Sequence, residues 1–150
     1  MITAKDFRAA FVDLIKNKAH IPYDIYFNSV NKSDTSYVWV NFVKATKTSW
    51  DIAYFQWNIS VDIQVVPVSN EYTDVKYTEL WDISDSLTQA IMPYIQIKDR
   101  FITVQDFDSQ IIDDVLHYEF DMNFTDYVPS AEYEESEYDF MKDLEMELSS

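Results

Sequence analysis

The clearest pattern in the chain is a regular alternation of apolar and polar residues within the segment from Tyr54 to Val66. Its apolar positions are Phe55, Trp57, Ile59, Val61, Ile63 and Val65. A period of two residues predicts a β-strand. At about 3.3 Å per residue this strand would be about 43 Å long, against about 30 Å for the diameter of a small domain. We therefore expect the strand to bend or to project beyond its own domain.

Two segments have the spacing of amphipathic helices. Thr3 is placed to cap a helix over about residues 4–17, and Asp6 completes an approximate capping box. A second helix is predicted over residues 73–91, with Pro93 just beyond its end.

Shorter strands are predicted at residues 23–27 and 37–43, and after the second helix at 94–97, 101–104 and 116–124. Residues 44–50 are polar and are predicted to form a loop. Short links between strands favour antiparallel pairing. The sequence therefore predicts an α+β fold, in which a mainly antiparallel sheet with one long strand is packed by two helices.

The chain changes character near residue 129, which divides it into a folded domain (1–128) and an acidic C-terminal extension (129–150). The extension carries eight acidic residues and a single lysine. Within it, Phe140, Met141 and Leu144 share one helical face. This spacing predicts an interaction helix that forms on a partner and is disordered alone.

The amino-acid composition excludes or disfavours several classes of function. The net charge of −16 opposes tight binding of nucleic acid, which is held mainly by Lys and Arg. The absence of glycine excludes phosphate-binding loops, and the absence of cysteine excludes disulfides and thiolate nucleophiles. No segment resembles a membrane span or a signal peptide, so we expect a protein that stays in a cytoplasm-like compartment and does not contact membranes.

The candidate chemical groups are few. The two histidines, His20 and His117, have no second histidine at ligand spacing, so a structural or solvated role is predicted for each. Two acidic pairs, 106 with 108 and 113 with 114, are close in sequence, but such neighbours arise by chance among 27 acidic residues. We expect no catalytic residue, no metal site and no cofactor.

Two groups of residues are candidate interface positions. Trp50 lies beside Lys44 and Lys47 in the predicted polar loop, and an exposed tryptophan near cations is a common anchor at interfaces. The polar face of the long strand is either solvated or forms a subunit contact or a lumen surface. Its candidate contact residues are Gln56, Asn58 and Asp62.

Three segments, at residues 54–67 (YFQWNISVDIQVVP), 79–84 (ELWDIS) and 112–124 (IDDVLHYEFDMNF), resemble the phage tail terminator family over about residues 1–128. The resemblance implies a turn containing glycine just before the Val-Leu-His stretch, and this chain has Asp114 at that position. The resemblance implies a ring, usually of six subunits, that caps the tail tube and joins it to the head connector. The implied partners are further copies of the chain, the tail tube protein and a connector or head-completion protein, and DNA passes through without specific binding. The implied location is the neck of the virion, after assembly in the host cytoplasm.

Other functions remain open at this stage. Another neck protein or a tail-tube protein would have a similar architecture. The acidity also suits an inhibitor that mimics DNA and occupies a basic groove of a host protein. A hydrolase with paired carboxylates is disfavoured, and the chain is expected not to be an enzyme.

Overall fold

The computed structural model describes residues 1–27, 35–67 and 74–128. Its elements, in chain order, are α1 (Ala4–Asp13) with a π-helical turn (Leu14–Lys18), β1 (Asp24–Tyr26), β2 (Tyr37–Ser49), β3 (Tyr54–Val66), α2 (Asp74–Ile91), β4 (Ile95–Ile97), β5 (Arg100–Ile102), β6 (Phe107–Ile112) and β7 (Val115–Tyr127). Among the described residues, no helix combines the length and the apolar character needed to cross a membrane.

Five strands form one sheet in the order β1-β2-β3-β7-β6, and β4 and β5 form a separate two-stranded hairpin. All pairs in the large sheet are antiparallel except β1 with β2, which run parallel. The predicted α+β class with a mainly antiparallel sheet and two helices is confirmed. The parallel pair of β1 and β2 is short, with three residue pairs, so the sheet is mainly antiparallel as predicted.

The long strand β3 has the predicted bounds and lies in the middle of the sheet. It pairs with β2 from Phe55 to Val66 and with β7 from Tyr54 to Val65. Each of the three strands has thirteen residues. The length of β3 is therefore matched by its neighbours, and the whole centre of the sheet is long.

The predicted loop at residues 44–50 is wrong, because residues 44–49 continue strand β2. The register shifts between Phe42 and Lys44, and from there β2 pairs with β3 as far as Ser49. The polar composition of residues 44–49 favoured a loop. Pairing with the long strand β3 instead satisfies the backbone N–H and C=O groups on that side of the segment. Strand β6 (Phe107–Ile112) was not predicted from the sequence.

The core lies between the two helices and one face of the sheet. Phe11 of α1, Leu87 of α2, Ile63 of β3 and Tyr118 of β7 are fully buried in it. The Tyr118 hydroxyl shares a hydrogen bond of 2.8 Å with Thr88, and burial raises the pKa of this tyrosine while that bond partly offsets the rise. The side of the sheet that faces away from the helices is called the outer face below.

The predicted cap of the first helix is confirmed. The Asp6 backbone N–H donates to the Thr3 hydroxyl, and the Thr3 N–H donates to Asp6 Oδ2 at 2.7 Å. The backbone donor of Thr3, helped by its hydroxyl and by Lys98 at 3.1 Å, lowers the pKa of Asp6 to about 2. This carboxylate is therefore ionised at all ordinary pH values.

The N-terminus is fastened to the sheet by a buried acid near the end of β7. Asp126 is 1% exposed, and its Oδ2 accepts from the Ile2 N–H at 2.7 Å and from Trp57 Nε1 at 3.4 Å. Its Oδ1 accepts from the Tyr127 N–H at 2.9 Å and lies 3.5 Å from Arg100 Nη2. These contacts cover the aromatic end of the core with the first residues of the chain.

A chain without glycine still makes a two-residue turn between β6 and β7. Asp113 and Asp114 have φ angles of 51° and 64°, the left-handed conformation at both central positions of the turn. Aspartate is among the few residues that adopt this conformation at modest cost. The Tyr77 hydroxyl donates to Asp114 Oδ1 and ties α2 to the turn. Two aspartates therefore adopt the left-handed conformation of a turn in which a glycine was expected.

Candidate interaction surfaces

The turn that joins β2 to β3 is held rigidly by its own backbone and by one side chain. Asp51 Oδ1 accepts from the N–H groups of Ala53 and Tyr54 at 2.7 and 2.8 Å. The Trp50 N–H donates to the Tyr54 carbonyl at 3.0 Å, and the Ser49 hydroxyl donates to the Asp51 carbonyl at 3.0 Å. Such a turn presents its remaining side chains in a fixed arrangement.

Large apolar side chains are exposed together at this end of the sheet. Tyr54 pairs directly with Tyr127, and the Val128 N–H donates to the Ala53 carbonyl at 3.0 Å, so the end of β7 lies against the turn. We call the group the tip cluster: Trp50 (61% exposed), Ile52 (84%), Tyr54 (50%), Tyr127 (41%) and Val128 (44%). Grouped exposed apolar side chains are typical of sites that bind other proteins.

The two lysines predicted to accompany Trp50 point to opposite faces of the sheet. Lys44 pairs with Ser60 and lies on the outer face. Lys47 pairs with Trp57 on the core side, where its ammonium stands 4.3 Å from the Trp57 ring centroid and 5.6 Å from that of Phe55. Lys47 therefore covers the end of the aromatic core and binds it by cation–π contacts.

One long edge of β2 has no partner strand in the described part of the chain. Strand β1 pairs only with Tyr37, Val38 and Trp39, which leaves residues 40–49 open on that side. An open edge can pair with another chain. The register shift after Phe42 and the exposed side chains of Val43 and Lys44 interrupt its regularity, which limits indiscriminate pairing.

The polar residues of β3 lie on the outer face between two neighbouring strands, and this position shields them from solvent. Gln56 and Asn58 are half-buried. Asp62 is only 6% exposed, so the interpretation of a solvated face does not hold for it. Its Oδ2 accepts from Gln64 Nε2 at 3.0 Å and lies 3.1 Å from His117 Nδ1.

Sequence reasoning missed the contact between Asp62 and His117. The signal was present as a polar residue at every second position of both strands, but the register that brings residue 64 opposite residue 117 could not be read from it. The predicted acidic pairs do not form carboxylate dyads on one strand face: Asp113 and Asp114 make a turn, and Asp108 lies on β6 opposite Glu119.

Charge is distributed unevenly across the outer face. Acidic side chains stand on β6 and β7, at Asp108, Glu119 and Asp121. On the opposite side of β3, the outer face of β2 carries Lys44 and two threonines. The side of this face formed by β6 and β7 is therefore acidic, whereas the side formed by β1 and β2 carries one lysine, Lys44, and one acid, Asp24.

The predicted interaction helix lies outside the described residues. Phe140, Met141 and Leu144, and the boundary that separates residues 1–128 from 129–150, stay predictions.

Comparison with known proteins gives a family but no curated relative. A solved structure that is 9% identical aligns with 85% of this chain and 97% of its own, at a TM-score of 0.42, and this likeness is too weak to support an argument. No curated protein matches the sequence. The family described as phage tail terminator protein matches residues 6–145, nearly the whole chain. The predicted resemblance is thereby confirmed, and the chain belongs to the phage tail terminator protein family.

Proposed function

We propose that this structural phage-tail protein forms a ring of its own copies, expected to be six, that caps the tail tube and joins it to the head connector. Family membership supports a role in the tail. It also favours this role over that of a tail-tube protein, of another neck protein or of an acidic inhibitor that mimics DNA.

The observation that carries the proposal is the tip cluster at the end of the three long strands. A ring needs a heterologous contact, in which one surface of a subunit meets a different surface of the next. A rigid turn that exposes Trp50 and Ile52 provides an apolar anchor of the kind that dominates binding energy at interfaces. The open edge at residues 40–49 runs back from this anchor and offers backbone groups to the same neighbour.

Charge supports the same head-to-tail arrangement. The β2 side of the outer face carries Lys44, and the β6 side carries Asp108. Complementary charge on the two sides of one subunit guides the approach of successive copies. The overall charge of −16 would let DNA pass through the ring without adhering to it.

Single substitutions with a matched control test the proposal. Trp50 and Phe101 are 61% and 60% exposed aromatic residues, one in the tip cluster and the other on β5. Assembly is measured by light scattering and by electron microscopy of protein alone and of protein mixed with tails. Trp50→Ser is expected to weaken assembly at least about 30-fold, the loss typical of an anchor residue, and Phe101→Ser to change it less than threefold.

Two results would contradict the proposal. One is a protein that stays monomeric and never joins tails. The other is equal assembly by the Trp50→Ser variant and the unsubstituted protein, which would remove the tip cluster from the contact.

A further inference from the structure

Three side chains with metal-binding chemistry meet on the outer face of the sheet. His117 and Glu119 are two residues apart on β7 and so point to the same side. Asp62 of β3 is the direct register partner of Glu119. One ligand atom from each of the three lies within 4.8 Å of the others.

One oxygen of the buried Asp62 carboxylate has no hydrogen-bond donor among the described residues. Its Oδ2 has both Gln64 and His117 as neighbours, whereas Oδ1 is buried and lacks a hydrogen-bond partner among the described residues. An unsatisfied buried oxygen is costly and rare in native proteins. An ion pair between Asp62 and protonated His117 uses only Oδ2, so it leaves the second oxygen unexplained.

We propose that Asp62, His117 and Glu119 bind a divalent transition-metal cation, with zinc as the best match. One imidazole and two carboxylates form a nitrogen and oxygen donor set that suits zinc, manganese or iron better than calcium or magnesium, which prefer oxygen alone. A cation held here balances the charges of Asp62 and Glu119 together, and bidentate binding by the Asp62 carboxylate would also satisfy its Oδ1.

The spacing of the donors is close to what zinc requires. Bond lengths of about 2.0–2.2 Å place two ligands of a tetrahedral zinc about 3.4 Å apart. The His117 and Asp62 atoms are already 3.1 Å apart, and the Glu119 carboxylate has an oxygen within 4.8 Å of both. The cation links the adjacent strands β3 and β7 and leaves a coordination position for water.

A second buried polar atom without a partner lies on the same face. Trp39 Nε1 has no hydrogen-bond acceptor within the described residues, and Trp39 is the register partner of Gln64, the residue that donates to Asp62. An unsatisfied donor on β2 and an unsatisfied acceptor on β3 thus lie on the same face of adjacent strands.

The experiment is a titration of the full chain with zinc alone, and with magnesium as the comparison cation, followed by calorimetry and thermal unfolding. The expected result is one zinc per chain, bound at least tenfold more tightly than magnesium. At a hundredfold excess over the Kd, zinc should raise Tm by about 5–10 °C. The NMR signals of the His117 imidazole should shift at the same stoichiometry, and those of His20 should not.

Matched variants separate this site from the acidic surface as a whole. His117→Asn and Asp62→Asn are expected to weaken zinc binding at least 30-fold. Asp121→Asn, which removes an exposed charge two residues beyond Glu119 on the same strand face, is expected to change it less than twofold. Circular dichroism of each variant checks that it is folded.

Two outcomes overturn the proposal. The first is the lack of saturable zinc binding near neutral pH, which assigns the two unsatisfied atoms to a buried water instead. The second is equal zinc affinity in folded His117→Asn and in the unsubstituted protein, which would show only adventitious binding to a highly negative surface.

Discussion

Asp126 fastens the first residues of the chain to β7, and its replacement by asparagine tests how much this buried acid stabilises the fold. In the native protein each carboxylate oxygen accepts from a backbone N–H, at 2.7 Å for Ile2 and 2.9 Å for Tyr127. Asparagine replaces one of these oxygens with an NH₂ group. Whichever way the amide is turned, one backbone donor then faces another donor.

The magnitude follows from these contacts. The loss of one short hydrogen bond to a charged acceptor costs about 1.5–3 kcal/mol. The ion pair with Arg100 is 3.5 Å long, and the arginine is 30% exposed, so solvent limits its contribution to about 1 kcal/mol at most. Asp126→Asn is therefore expected to lower the free energy of unfolding by about 3 kcal/mol.

The assay is urea unfolding, followed by tryptophan fluorescence and circular dichroism at one fixed protein concentration, since assembly would shift the apparent stability. The control is Asp121→Asn, an exposed position on the same strand, which should change the free energy by less than about 0.5 kcal/mol. A loss below about 1 kcal/mol for Asp126→Asn would refute the reasoning, because the buried contacts would then add little beyond their desolvation cost.

Three further predictions concern the core, the acid stability and the turn. Phe11 is 0% exposed, so Phe11→Ala should cost about 3–5 kcal/mol in urea unfolding, whereas Val12→Ala at a 38% exposed position should cost less than about 0.5. The pKa of Asp6 is lowered from 3.8 to about 2. The contribution of this carboxylate to stability is therefore present above pH 3.8 and is lost as the pH falls through 2. An NMR titration of Asp6 with a midpoint near 3.8 would contradict the capping contacts. Asp113 has a φ of 51°, so Asp113→Ala should destabilise the protein by about 1 kcal/mol and Asp113→Gly should not; equal unfolding midpoints for the two variants would argue against this turn.

The sequence predicts those elements whose own residues specify them. Strand β3 alternates apolar and polar residues from Phe55 to Val65, and its bounds are as predicted. The first helix begins at its predicted cap because Thr3 and Asp6 satisfy each other locally. Such elements are specified by residues that are close in sequence, so they can be predicted without knowing the rest of the fold.

Elements that depend on a distant partner were not predictable. Residues 44–49 are polar and become strand because β3 is long enough to pair with them. Strand β6 alternates only weakly and is stabilised by β7 and by a hydrogen bond of 2.8 Å between Ser109 and Ser84 of α2. Pairing across the sheet, rather than propensity, decides both cases.

The same limit applies to the candidate surfaces. Trp50 was recognisable as an exposed residue and a candidate anchor. Its companions Tyr127 and Val128 come from the distant end of β7 and depend on the register between Tyr54 and Tyr127. Lys47, expected beside Trp50, covers the core instead. The contact between Asp62 and His117 likewise depends on the register between β3 and β7. These two strands are separated in sequence by α2, the β4–β5 hairpin and β6.

The most direct test of the central claim is an electron micrograph of phage particles assembled without this protein. Termination by a ring that caps the tail tube predicts free heads beside unattached tails of irregular length, and addition of the purified protein should restore joining. Tails of normal length in its absence would contradict termination and would leave only a role in joining.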